Sequence, residues 1–233
     1  MTDFGPTPSS FPVPPPPVPP MRSGPPWENP GPPVQRFIDT LKGVLIDPVA
    51  TFSQMRREGG LQAPLIYYVL GMLIAVAGAV LWNILGFGMG IPMGGMGRGE
   101  MAGAAMGLGF LLVGLPICYV IGLFLGSGIL HLLLMLFGGQ RFPYETTFRT
   151  VAYAHGSALP LGFIPGCGGV IAGIWGIVVL IIGLAQMHET TTGKAAAAVL
   201  VPMVICCALV AVFFSVIAAM IGMAAAGAAS GIH

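Results

Sequence analysis

The sequence predicts an all-α polytopic membrane protein. It has five transmembrane helices, preceded by interfacial amphipathic helices and a disordered Pro-rich tail. Three observations carry this reading. Charged residues make up 7% of the chain and apolar ones 55%, whereas a water-soluble domain is roughly a quarter charged. After Gly60 the only charged residues are Arg98, Glu100, Arg141, Glu145, Arg149, Glu189 and Lys194, gathered in three short gaps. Between the gaps run long uncharged stretches, and in lipid such backbone must satisfy its own hydrogen bonds, which makes it helical.

Residues 1–33 hold 14 of the chain's 22 prolines, including the run Pro14-Pro15-Pro16-Pro17. A segment so short of backbone donors forms no helix and buries little, so it is expected to be disordered with polyproline II character. Pro14–Pro20 or Gly24-Pro25-Pro26-Trp27 could dock in a Pro-binding groove of a cytoplasmic partner. The plainer reading is a solvated spacer. The segment has neither the basic start nor the apolar run of a signal peptide, so the N-terminus is expected to be retained.

Residues 34–60 read as two amphipathic helices. Val34, Phe37, Ile38, Leu41, Val44 and Leu45 share one helical face, with Gln35, Arg36, Asp39 and Lys42 opposite. The first helix is too short to cross a bilayer and suits its interface. Asp47-Pro48 then reads as an N-cap with proline at the first helical position, where its missing N–H is harmless. Val49, Phe52 and Met55 would face lipid, Arg56-Arg57 the headgroups, and Gly59-Gly60 would end the helix. The alternative is that the pair packs on the protein's own cytoplasmic face.

Crossing the hydrocarbon core takes about 20 apolar residues of helix. The membrane domain is placed at 61–225, with spans at about 64–85, 103–137, 148–164, 170–187 and 195–222, and an outer tail at 226–233. Gly103–Phe137 is long for one span, about 52 Å of helix, so a tilted helix bent at Pro116 is expected. With the N-terminus in the cytoplasm, Arg36, Lys42, Arg56, Arg57, Arg141, Arg149 and Lys194 lie inside and Arg98 outside, as the positive-inside rule requires. The expected location is therefore a cytoplasmic (inner) membrane, N-terminus in and C-terminus out. Gly71/Ala75/Ala79, Gly122/Gly126 and Gly169/Gly173 are small residues at interface spacing. They predict close helix packing, with a homo-oligomer as the secondary reading.

Composition excludes several functions. A net charge of +1 leaves no basic stripe for nucleic acid. Cys118, Cys167, Cys206 and Cys207 form no Cys-x-x-Cys pair and read as small apolar fillers. There is no His-Glu-x-x-His, no Gly-x-Ser-x-Gly around Ser157, and no lysine after Gly166-Cys167-Gly168-Gly169 to make a phosphate loop. No cofactor and no enzymatic activity are expected.

Three features in order bring a family into view. These are an amphipathic segment with Asp47-Pro48 before the first span, then Phe148-Arg149-Thr150-Val151-Ala152-Tyr153-Ala154, then Ile174-Trp175…Ile182-Gly183-Leu184…His188 closed by Lys194-Ala195. Over about 37–215 the chain resembles the Yip family of Ypt/Rab-interacting membrane proteins, in its prokaryotic form. The resemblance implies five spans and a cytoplasmic N-terminus. The longer cytoplasmic region of eukaryotic members, associated with vesicle traffic and small GTPases, has no counterpart here. The Pro tail and the Gly/Met-rich 86–106 are departures.

The versatile side chains gather on the expected cytoplasmic face. Arg56, Arg57, Arg141, Tyr144, Arg149 and His188 are the candidate contacts for a protein partner or membrane lipid, the loop 138–149 being the main surface. Aromatic and Arg residues anchor interfaces and equally anchor helices at headgroups. His131 and His155 form a candidate intramembrane polar site, since ionisable residues in a bilayer are functional candidates, against the plainer reading of neutral, satisfied histidines. Met89, Met93, Met96, Met101 and Met106 could hold Cu(I) on the outside or simply fill space. The favoured function is a non-enzymatic membrane adaptor or bilayer-organising protein. The alternative is a small transporter or channel using spans two and three.

Overall fold

Uninterrupted apolar runs become helices in this chain, and polar or Gly/Pro punctuation ends them. A computed structural model describes residues 22–85, 107 and 109–230. The expectations for 1–21 and for the Met-rich 86–106 lie outside the described residues. All regular structure among the described residues is helical: α1 Pro33–Ile46, α2 Pro48–Gln54, α3 Gln62–Ile84, α4 Leu115–Leu136, α5 Tyr144–Ala158, α6 Gly168–Met187 and α7 Thr192–Ser230. Four stretches are long and apolar enough to cross a membrane: Gln62–Trp82, Phe110–Leu136, Gly168–Met187 and Thr192–Met220.

Asp47 separates α1 from α2 as the sequence predicts. Its carboxylate accepts the Ala50 N–H at 3.1 Å, with Pro48 in the first turn. The lipid-facing expectation for α2 does not hold. Phe52 and Met55 are fully buried in protein, while Val49 remains exposed. The reason is a notch at Gly183 of α6: a Cβ there would lie 3.0 Å from the Phe52 ring and 2.8 Å from Thr150. The notch takes the Phe52 ring, and α2 packs on its own bundle. The helix also ends at Gln54, before Gly59-Gly60.

The boundary of the tail at residue 33 is also corrected. Residues 22–32 form a strap across the bundle, with a short 3₁₀ turn at Pro26–Glu28. The Gly24 N–H donates to Gln54 O at 3.0 Å, the Trp27 N–H to Thr40 Oγ1 at 2.8 Å, and Trp27 Nε1–H to Ala63 O at 2.9 Å. Proline removes donors, but Trp27 and Glu28 bring side chains that find buried partners, and those hold the segment.

α5 occupies the middle, packed against α3, α4 and α6. From Thr146 to Ala158 every residue except His155 is buried. Enclosed by protein, it needs satisfied polar groups rather than an apolar exterior, and it carries Thr146, Thr147, Arg149, Thr150, Tyr153 and Ser157. A 3₁₀ turn at Leu159–Phe163, containing Pro160, extends it. The close approach to α3 is made at Gly71, where a Cβ would stand 2.1 Å from Gly156 O. Gly122, Gly126, Gly169 and Gly173, expected to do the same, have open space where a Cβ would project. They border cavities instead.

Before Pro116 the backbone makes a π-helical turn at Phe110–Gly114. Proline removes one i→i−4 bond and its ring crowds the preceding turn, and a wider turn relieves that. α7 touches the bundle through Ala195, Ala198 and Val199, and from Met203 to Met220 it is exposed. The helix continues to Ser230, so helix rather than a separate tail occupies 226–230.

Candidate functional site

The polar side chains collect at one end of the bundle, where α3, α5 and α7 begin and α4 and α6 end. Helix ends leave backbone carbonyls and amides unsatisfied, and basic side chains here take many of them.

Arg149 stands at the centre of this end. Its side chain is 1% exposed and ion-paired to Glu28 of the strap. Its other nitrogens donate to Arg56 O and Gly60 O, both at 2.9 Å. Glu28 also accepts from Tyr153 Oη–H at 2.6 Å. A buried charge is tolerable only when paired and fully hydrogen-bonded, and this one joins α5, the 56–60 loop and the strap. The expectation of Arg149 as a surface contact is thus corrected: it points inward.

A second polar group joins α4, α5 and α6. Thr147 Oγ1 lies 2.8 Å from His131 Nδ1 and 2.9 Å from His188 Nε2. His188 Nδ1 faces the Arg141 N–H at 3.4 Å. One proton arrangement satisfies all three contacts. Arg141 N–H donates to His188 Nδ1, His188 Nε2–H donates to Thr147, and the Thr147 hydroxyl donates to His131 Nδ1. Both imidazoles are then neutral. Burial, then the neighbouring His131 and Arg57, push the His188 pKa down to about 4. His188 is fully buried, so it too is corrected from surface contact to internal fastener.

Arg57 closes the α6–α7 connection. It donates through Nε to Met187 O at 2.9 Å, pairs with Glu189, and lies over the Phe142 ring with its guanidinium carbon 3.7 Å from the centroid. Arg22 reaches the same carboxylate at 3.3 Å. The Arg57 hydrogen bond holds the Glu189 carboxyl below its ordinary range. Tyr144 is half-buried, its hydroxyl donating to Phe124 O at 3.1 Å.

Arg56 and Arg141 remain exposed, with no carboxylate in ion-pair range among the described residues. The two membrane histidines are not brought together. His131 belongs to the Thr147 bridge. His155 borders two cavities, of about 520 and 370 Å³, between α3, α4, α5 and α6. Their walls are mostly aliphatic and glycine.

Sequence reading missed Glu28, Thr147 and Glu189, each a partner of a residue it did single out. A Trp-Glu pair inside a Pro-rich segment was the available signal for Glu28. Among the described residues no group of three His, Cys, Asp or Glu could hold a metal. The Met-loop copper expectation lies outside them.

Compared with known proteins, residues 42–214 match the model of the Yip1 domain family. No curated protein and no solved structure matches the chain.

Proposed function

Because the chain belongs to the Yip1 domain family of membrane proteins, we propose that it is a non-enzymatic integral membrane adaptor or bilayer-organising protein whose cytoplasmic face binds protein partners or lipid. The observation that carries this reading is the sorting of the arginines at the polar end. Arg57 and Arg149 are spent internally on carboxylates and carbonyls, while Arg56 and Arg141 stand outward with no carboxylate in ion-pair range among the described residues. Internal pairing stiffens the platform, and the free cations give it something to offer an anionic partner or surface.

The topology that goes with this is five crossings of the inner membrane of a prokaryotic cell, N-terminus inside. α5 and its 3₁₀ extension would make the third crossing. At 1.5 and about 2.0 Å per residue they cover about 32 Å, close to the roughly 30 Å hydrocarbon core. Self-association stays a secondary reading. The transporter alternative draws no support, since His131 is engaged by Thr147 and the cavities beside His155 have largely apolar walls.

The test is co-purification from native membranes with the intact chain and with Arg56→Glu/Arg141→Glu. The proposal predicts partners, protein or anionic lipid, that are retained by the first and lost from the second. Identical recoveries would overturn it.

A further inference from the structure

Two cavities sit one above the other on the outer side of α3, and they differ sharply in chemistry. The first, about 420 Å³, lies level with the first turn of α3 and is lined by Trp27, Glu28, Arg36, Arg56, Gln62 and Ile66. The second, about 520 Å³, lies further along the same helix between α1 and α3, and is lined by Val34, Phe37, Leu70, Leu73, Ile74 and Ala77 together with Trp27 and Pro33. Trp27 is the wall common to both. Gln62, Ile66, Leu70, Leu73 and Ala77 follow one another along a single face of α3 at helical spacing.

The upper cavity carries unspent positive charge. Arg36 donates through Nη1 to Trp27 O at 3.1 Å and Asn29 O at 3.0 Å, and its guanidinium carbon lies 5.3 Å from the centre of the Trp27 ring. No carboxylate pairs with it among the described residues, and its buried Nε has no hydrogen-bond partner. Arg56 opens to the surroundings, likewise without a carboxylate. Two acids stand beside it: Glu28, which is already paired with Arg149 and Tyr153, and Glu145, whose carboxylate accepts the Gly60 N–H at 2.6 Å. The lower cavity has only apolar side chains to offer.

The dimensions fit one molecule. From Gln62 to Ala77 the helix rises about 22 Å. Half of a bilayer including its headgroup region is about 20–22 Å. A polar, cationic socket over an apolar channel of one leaflet's depth matches a glycerophospholipid, with its phosphate above and an acyl chain below. Two unpaired guanidinium groups select an anionic headgroup over a zwitterionic one, whose own cation they would repel.

We infer that this paired cavity is a binding site for one anionic glycerophospholipid of the cytoplasmic leaflet, its headgroup held between Arg36 and Arg56 and its chain lying between α1 and α3. The inference deepens the cytoplasmic-face reading and rests on the same orientation. The strap is part of the site, because Trp27 separates head from chain and Arg36 is held by strap carbonyls. A bound lipid would therefore secure α1 and the strap against α3.

Trp27 gives the readout. The intact chain carrying Trp82→Phe and Trp175→Phe is reconstituted in vesicles containing brominated phosphatidylglycerol or, at equal mole fraction, brominated phosphatidylcholine. The expected result is stronger quenching of Trp27 by the anionic lipid. Arg56→Gln should lower the apparent enrichment about fivefold, the effect of one basic side chain near an anionic surface, and Lys194→Gln, at the same end but outside the site, should not change it. Equal quenching by the two lipids overturns the inference, as does an equal loss in Arg56→Gln and Lys194→Gln, which would mean diffuse attraction. Native mass spectrometry of the wild-type chain from mixed vesicles is run beside it. Retention of phosphatidylglycerol over phosphatidylcholine, lowered by Arg56→Gln, supports the site, and unselective retention counts against it. Protein partners captured through Arg56 and Arg141 without lipid selectivity would leave the adaptor reading standing and remove only this site.

Discussion

At the residue scale, Glu28 and Arg149 form the interaction whose loss should cost most. They are 121 positions apart and both nearly inaccessible, and Glu28 Oε1 takes both the Arg149 guanidinium and the Tyr153 hydroxyl. Glu28→Gln leaves a buried guanidinium without its counter-charge, and the expected destabilisation is about 3–5 kcal/mol. Replacing the pair, Glu28→Gln with Arg149→Met, should cost less than Glu28→Gln alone, because no orphan charge then remains. Chemical unfolding in detergent, read as a double-mutant cycle, checks this. His188 makes a different prediction. Its folded-state pKa, about 4, lies below the ordinary value near 6.5, so the unfolded chain takes up a proton at higher pH. The stability it contributes is present above about pH 6.5 and is lost as the pH falls toward about 4. Unfolding across that window should show a wild-type slope that His188→Asn flattens, whereas an unchanged slope would assign the acid sensitivity elsewhere.

At the element scale, packing depends on a few places where a side chain is absent. Gly71→Ala drives a Cβ into the Gly156 carbonyl, a backbone atom that cannot move aside cheaply, so α3 must separate from α5. A clear fall in melting temperature is expected. Gly122→Ala enters open space, and alanine favours helix over glycine by about 1 kcal/mol, so that variant should melt at or above wild type. A pair of equal shifts would contradict the packing described. Phe52→Ala empties the Gly183 notch and should cost about 3–5 kcal/mol, with faster proteolysis at Arg56-Arg57 as α2 loosens.

The same elements show what a sequence can disclose. The apolar runs and the Asp47 cap were legible because each is encoded within a few residues. Phe52 and Met55 looked lipid-facing because an apolar face does not say which apolar surface it meets, and the answer lay at Gly183. The inward turn of Arg149 and His188 was illegible for a similar reason. A polar residue near a helix end reads as exposed until its partner is known, and Glu28 and Thr147 are partners only in three dimensions. Exposure of Arg56 was legible, since it follows a short amphipathic helix with no acidic residue at helical spacing.

On the scale of the whole molecule the chain is poor in charge, and its described residues form a helical bundle with one chemically versatile end. The strap, α1, α2 and the ends of α3 to α7 are fastened there by the buried Arg149–Glu28 pair, by the exposed Glu189 carboxylate held by Arg57 and Arg22, and by a His–Thr–His bridge, and Arg56 and Arg141 are left facing outward. The proposed topology predicts that a reporter fused after Ser230 is active only if it functions outside the cytoplasm, and one inserted in the 188–194 connection only if it functions inside. The central claim, that this end is a binding face, is tested most directly by site-specific photocrosslinking in native membranes. Photoreactive residues are placed at Arg56 and Arg141, and for comparison at the exposed apolar Leu125 of α4. The account predicts defined protein or headgroup adducts from positions 56 and 141 that Leu125 does not give, and indistinguishable adducts from all three positions would contradict it.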